Sequence, residues 1–308
     1  MKYYGIQNEV KAYINRLQAE NGINVSPSTV KTINDRVESL KRSGDWSRFS
    51  LGFNDTDGDA YLTRAGVTNP LGRCEVLWFT RGMKALGLWQ NTVAWAMRNY
   101  QNAGIGSTVY SMGGLGIFNG TMVGSPVWIT NGSGIRFAAP TVRQYINIPT
   151  LTQSFFTNSS NFFAASINSY VFVVPRLIGE VDQPASELTV NITSANKITG
   201  LNTWSGSIGS TGSINPNLNF QTFNTFGVSF NYALSSANYI ANNTVTAVSR
   251  LPANVTRNFQ IAAGQGVNDH WNGDIAYGIR FYGNLTAVQM LAIKNIATKT
   301  LGFNLGLP

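Results

Sequence analysis

A single histidine, His270, stands beside Asp269 in a chain with many serines, so the residue types of a Ser-His-Asp triad are present. Their spacing argues against one. Neighbours along a strand point to opposite faces, which turns Asp269 away from His270, and no Gly-x-Ser-x-Gly elbow occurs. Asp55-Thr-Asp57-Gly-Asp59 offers oxygen ligands at alternate positions around a glycine, the opening of a calcium loop. The twelfth position, where an EF-hand needs a bidentate glutamate, is Gly66. Calcium on Asp55, Asp57 and Asp59 is therefore a candidate, set against a polar turn made by the same side chains. No other cofactor is expected: the run around Gly113 and Gly114 lacks the Gly-Lys-Ser/Thr ending of a phosphate loop.

Asn268-Asp269-His270-Trp271 gathers hydrogen-bonding groups and an indole in one stretch, which suits a sugar. The apolar faces of a sugar stack on aromatic rings while its hydroxyls bond to amides and carboxylates. Trp204 joins this glycan-binding set, because the Ser-, Gly- and Asn-rich stretch from Thr203 to Asn219 reads as a long exposed loop. For Trp271 the competing reading is a core cap just before the strand that follows it.

The elements that must position these residues are clearest near the C-terminus. Ile275, Tyr277, Ile279 and Phe281 alternate with Ala276, Gly278, Arg280 and Tyr282, the period of a half-buried strand. Gly283-Asn284 ends it. Thr286 and Gln289 then form a capping box, Met290, Ile293, Ala297 and Leu301 line one face, Lys294 and Lys299 sit in the later turns, and Gly302 is a stop. This predicts a helix over 286–301.

A strand entered through Trp-Asn-Gly-Asp and followed at once by such a helix resembles the closing element of concanavalin A-like domains, the laminin-G type included, over roughly residues 125 to 302. The resemblance implies a mainly β fold, a jelly-roll sandwich with the helix packed on its outside. It also brings glucanases into view, whose pattern is Glu-x-Asp-x-x-Glu or Glu-x-Asp-x-Glu. Glu180-Val-Asp182 begins that pattern, but Pro184 or Ala185 stands where the second glutamate belongs. A retaining carboxylate pair is thereby broken, and Glu180, Asp182 and Glu187 read as loop carboxylates.

Upstream, apolar residues at helical spacing predict helices at about 6–20, 27–42 and 74–90, so residues 1–104 form an N-terminal helical region and 105–308 the sandwich. Val127 to Phe137, with Asn131-Gly132 at its centre, reads as a hairpin. Arg81-Gly-Met-Lys-Ala-Leu-Gly-Leu-Trp89 and Trp95-Ala-Met-Arg-Asn-Tyr-Gln-Asn-Ala-Gly104 resemble stretches that precede laminin-G-like domains in structural proteins of tailed bacteriophages.

Composition narrows the function classes. Lys and Arg number 22 against 14 Asp and Glu, a net charge of +8, yet no basic run exceeds Lys41-Arg42, so no nucleic-acid footprint is present. Cys74 stands alone, which excludes an intrachain disulfide and any multi-cysteine metal site. The first residues hold no apolar signal segment, and no apolar run reaches membrane-spanning length. The expectation is a non-enzymatic bacteriophage virion structural protein (a capsid decoration, head-fibre or tail component) made in the host cytoplasm and located in the virion. Its expected partners are other virion proteins, further copies of itself and host-surface polysaccharide. A free-standing carbohydrate-binding lectin and a polysaccharide-cleaving glycoside hydrolase are the alternatives.

Overall fold

The computed structural model describes residues 6–44, 55–138, 142–149, 151, 158–168, 176–179, 187–193, 197–205, 209–214, 216, 218–219, 221–231, 233–249, 259–263 and 271–308. Five helices lie among them: α1 (Asn8–Asn21), α2 (Pro27–Arg42), α3 (Thr56–Arg64), α4 (Pro70–Ala85) and α5 (Ala287–Lys299). Local chemistry fixes their ends. Ser26 accepts from the Thr29 amide and Pro27 opens α2, while Gly22 closes α1 in the left-handed region at φ 63°. The capping box at Thr286 and Gln289 is fully formed at α5. The third expected helix, at 74–90, is instead α4 at 70–85, because Asn69 caps it through the Gly72 amide and Pro70 occupies its first turn. Among the described residues no helix is long and apolar enough to cross a membrane.

The first sheet runs β16-β15-β14-β8-β18-β1-β3. Its members are β1 (Thr92–Ala96), β3 (Ser111–Met112), β8 (Ser159–Ile167), β14 (Asn224–Asn231), β15 (Ser236–Ala241), β16 (Thr244–Val248) and β18 (Gly273–Tyr282). The expected hairpin is β5 (Val127–Trp128) with β6 (Ile135–Phe137), which extends the sheet by pairing β6 with β18. The second sheet runs β12-β11-β10-β9-β17-β7-β4-β2. It comprises β2 (Thr108–Val109), β4 (Gly120–Val123), β7 (Tyr145–Ile148), β9 (Arg176–Gly179), β10 (Glu187–Thr193), β11 (Lys197–Ser205), β12 (Gly209–Ile214) and β17 (Phe259–Ile261), with β13 (Leu218–Asn219) on β11. Neighbouring strands pair antiparallel, and the two sheets face each other as the mainly β sandwich that the closing element implied. The stretch from Thr203 to Asn219, expected as a loop, contributes strands to this second sheet.

Two apolar clusters hold three layers together. Trp95, Phe163 and Ile275 of the first sheet meet Ile146, Ile178 and Phe259 of the second, with the Trp95 and Phe259 rings stacked at 5.5 Å. On the other face of the first sheet, Phe162, Tyr277, Ile279 and Phe281 pack against Val37, Trp78 and Met290 of the helices. The helical stripes are thus covered by the sandwich itself.

This layering corrects two expectations. β18 is buried on both faces, not one, and a register shift between Ile275 and Tyr277 sends Ile275 into the inter-sheet core while Tyr277, Ile279 and Phe281 face the helices. The division at residue 104 also does not separate helices from sheet, because β1 pairs along its length with β18. Next to β1 the chain passes Gly113 at φ 144°, where an added Cβ would stand 2.0 Å from the Thr92 carbonyl oxygen.

Candidate functional site

Trp271 is not a sugar platform. It is 1% exposed, packs between the sheets, and its indole N–H donates to the Ser166 carbonyl at 3.1 Å. The core-cap reading holds because the residue immediately precedes β18 and fills the end of the inter-sheet layer. Asn268, Asp269 and His270 lie outside the described residues, as do Glu180 and Asp182. Trp204 lies within β11, paired with Glu187 and Ser210, and so is held in a sheet rather than in a loop.

The Asp55-Asp57-Asp59 segment is corrected as well. Its backbone is the start of α3, where Asp55 accepts from the amides of Asp57 and Gly58 as the helix cap. Lys84 Nζ lies 2.9 Å from both Asp55 carboxylate oxygens and 2.7 Å from Asp57, and Arg81 stands 3.3 Å from Asp55. The Trp89 indole also donates to Asp57. Asp59 turns elsewhere, pairing with Arg16 at 2.7 Å. Carboxylates already matched by cations and diverging along a helix do not fit calcium, which needs converging oxygens with uncompensated charge. Among the described residues no group of three His, Cys, Asp or Glu side chains could hold a metal ion.

A different site emerges from the tertiary structure. A cavity of about 230 Å³ opens where the start of α4, the turn after β1, the β5–β6 turn and the residues following α5 meet. Asn69, Glu75, Arg98, Asn99, Asn131 and Ser133, with Asn304, form its polar lining, and Leu71, Tyr100 and Leu305 its apolar part. Arg98 braces the walls. Its Nε donates to the Gly132 carbonyl of the hairpin turn, Nη1 to Leu301 at 2.6 Å, and Nη2 to Phe303 at 3.4 Å. Asn99 Nδ2 donates to Thr130, while the carbonyl oxygens of Asn69 and Asn131 accept from the Gly72 and Ser133 amides. Among the described residues, the Asn69 and Asn131 Nδ2 groups and the Ser133 hydroxyl remain without partners.

Glu75 forms the floor, 3% exposed, with Oε1 3.8 Å from Arg36 Nη1 and Oε2 without a hydrogen-bond partner. Burial pushes its carboxyl up to about 7, against the pull of Arg98 and Arg36. Burial likewise draws the Arg36 guanidinium down to about 10, which leaves it charged near neutrality. Arg36 lies between the Trp78 and Phe303 rings, and its Nη2 donates to the Lys299 carbonyl. Glu75 went unnoticed in the sequence because it sits beside an apolar stripe. The signal was the stretch Cys74-Glu-Val-Leu-Trp-Phe79, apolar around the whole helix, which implies that the acid is enclosed.

No family model matches the sequence, and no curated protein matches it. Solved structures do match the fold. A mutant of Trypanosoma rangeli sialidase displaying trans-sialidase activity aligns with TM-score 0.51 at 10% identity, over 90% of this chain and 40% of that one. Domain 4 of AbnA, an extracellular arabinanase from Geobacillus stearothermophilus in complex with arabinotriose, gives 0.40 at 12% identity, over 62% and 82%. The Ruminococcus gnavus IT-sialidase CBM40 bound to α2,3 sialyllactose gives 0.37 at 10%, over 45% and 83%. The expectation of a protein without enzymatic activity is overturned here, since the fold recurs in a chain displaying trans-sialidase activity. A buried acid with a raised pKa in a cavity is also the kind of group that general acid–base catalysis employs. What the chain shares with the Trypanosoma rangeli structure is a β-sandwich fold.

Proposed function

We propose that the protein is a carbohydrate-binding module. The cavity between α4 and the β5–β6 turn carries this reading. A sugar ring presents hydroxyls around its edge and C–H groups on its faces. The lining answers both, with free amide groups on Asn69 and Asn131, the Ser133 hydroxyl, and apolar surface from Leu71 and Tyr100. The trans-sialidase activity named for a structure of the same fold is glycan chemistry and agrees with the reading, although a fold alone does not carry an activity. A glycan array probed with the full chain tests it. Saturable binding to at least one glycan, competed by the same sugar free in solution, is expected; a blank array at high protein concentration removes the reading.

A bacteriophage particle is the setting we infer for this module. The support is the resemblance of Arg81–Trp89 and Trp95–Gly104 to stretches in phage structural proteins, together with a composition only 12% charged. On this reading the chain is made in the host cytoplasm, contacts other virion proteins and further copies of itself, and presents the cavity to host-surface polysaccharide. Mass spectrometry of purified particles checks it. Stoichiometric copies per particle are expected, and absence from particles would leave a free-standing lectin.

A further inference from the structure

We propose that the cavity at the start of α4 takes a single neutral sugar ring, held at the rim by Asn69, Asn131 and Ser133 and at the floor by the Glu75 carboxyl. This rests on the carbohydrate-binding reading and sharpens it to a site and a ligand charge.

Size and donor chemistry carry the inference. At about 230 Å³ the space falls below the roughly 300–1,000 Å³ of drug-sized pockets, so one ring enters and a chain of rings continues into solvent. Glu75 lines that space at 3% exposure and its buried Oε2 has no hydrogen-bond partner, an arrangement a protein keeps at a cost unless something bonds to it. A ligand hydroxyl meets the need in either direction, since it donates and accepts.

Charge selects against an anionic ring. The one guanidinium in the lining, Arg98, directs four of its N–H groups at the carbonyls of Gly132, Leu301 and Phe303, and the single N–H left on Nη2 cannot fork a carboxylate. Arg36 lies behind Glu75, enclosed by Trp78 and Phe303 and bonded to Lys299, and is not part of the lining. Beside that bonded guanidinium, what faces the ligand is amide, hydroxyl and one acid. These are groups for a polyol.

The test is calorimetric titration of the full chain with methyl glycosides of glucose, galactose, mannose and N-acetylglucosamine, with sialic acid and glucuronic acid as anionic counter-probes. At least one neutral glycoside binds, the anionic sugars bind at least about tenfold more weakly, and Asn131→Ala weakens binding about tenfold, the loss of one hydrogen bond. Glu75→Gln keeps a donor and an acceptor and stays within about threefold of the native affinity, whereas Glu75→Leu loses it. Asn131 lies in a surface turn, so its variant keeps the test decisive should Glu75→Leu fail to fold. Preference for an anionic sugar, or unchanged affinity in both Asn131→Ala and Glu75→Leu, overturns the proposal. A positive glycan array alongside those unchanged affinities moves the sugar site elsewhere and leaves the carbohydrate-binding reading intact. A blank array ends both.

Discussion

Arg36 of α2 and Glu75 of α4 face each other at 3.8 Å with only 6% and 3% of their side chains exposed. The separation exceeds hydrogen-bond length, so the pair has attraction without the bonds that offset its desolvation. Burial accordingly dominates both partners, raising the acid and lowering the base.

Stability should therefore fall as pH rises. The Glu75 carboxyl sits at about 7 in the folded chain against an ordinary 4.5, so the folded state holds the extra proton between these values. Its favourable contribution is complete below about 4.5 and is lost progressively up to about 7, by on the order of 3 kcal/mol. Of the groups around it, Arg36 stays charged in that window, Cys74 is pushed up to about 12 and Tyr100 lies well above its usual range; Arg98 faces it from the turn after β1. Urea denaturation at pH 4.5 and pH 8 checks this. Glu75→Gln should match the native chain at the lower pH and exceed it at the higher; equal slopes for the two chains would show that Glu75 is ionised in the fold.

Ile275→Ala and Ile279→Ala should each cost about 2–5 kcal/mol, since both side chains are fully buried. Because the bulge at Ala276 puts them in different apolar clusters, the double variant should be additive within about 0.5 kcal/mol. Strong coupling in chemical denaturation would place both on one face.

Gly113→Ala should be destabilising out of proportion to one methyl group. The Cβ would meet the Thr92 carbonyl at 2.0 Å, and the φ of 144° is closed to L side chains. A loss of at least about 1–3 kcal/mol is expected, with β3 parting from β1. Hydrogen exchange at Ala94 and Met112, which pair across these strands, locates the damage.

Asp55→Ala should cost about 0.5–2 kcal/mol for the cap of α3, and more through Lys84 and Arg81, which lose a buried partner. Millimolar calcium should leave the melting midpoint of the native chain unchanged. A rise of several degrees would show that the cation displaces Lys84.

Elements with one wet face were legible in the sequence. The stripe of α2 and the capping box of α5 both follow from residue spacing. The strands on either side of β18 were not. β8 reads Ser-Ser-Asn-Phe-Phe-Ala-Ala-Ser-Ile and β1 reads Thr-Val-Ala-Trp-Ala, without alternation, because helices cover one face and the second sheet the other. The same covering hid the short helix α3, whose alternating aspartates read as a ligand loop until the cations of α1 and α4 were brought beside them. The cavity was less legible still, since Asn69, Glu75, Arg98 and Asn131 converge only through tertiary packing.

The bond from Arg98 to Leu301 spans 203 positions. A ribosome making this chain therefore emits three walls of the cavity long before the fourth, and until Leu301 to Leu305 emerge the guanidinium has no carbonyls on that side and the floor stands open to water. A polypeptide cut at Lys299 retains nearly every strand and helix, yet its pocket is a notch. Any ligand taken up at this place would thus separate, among degradation products, chains that reach residue 305 from those that merely fold.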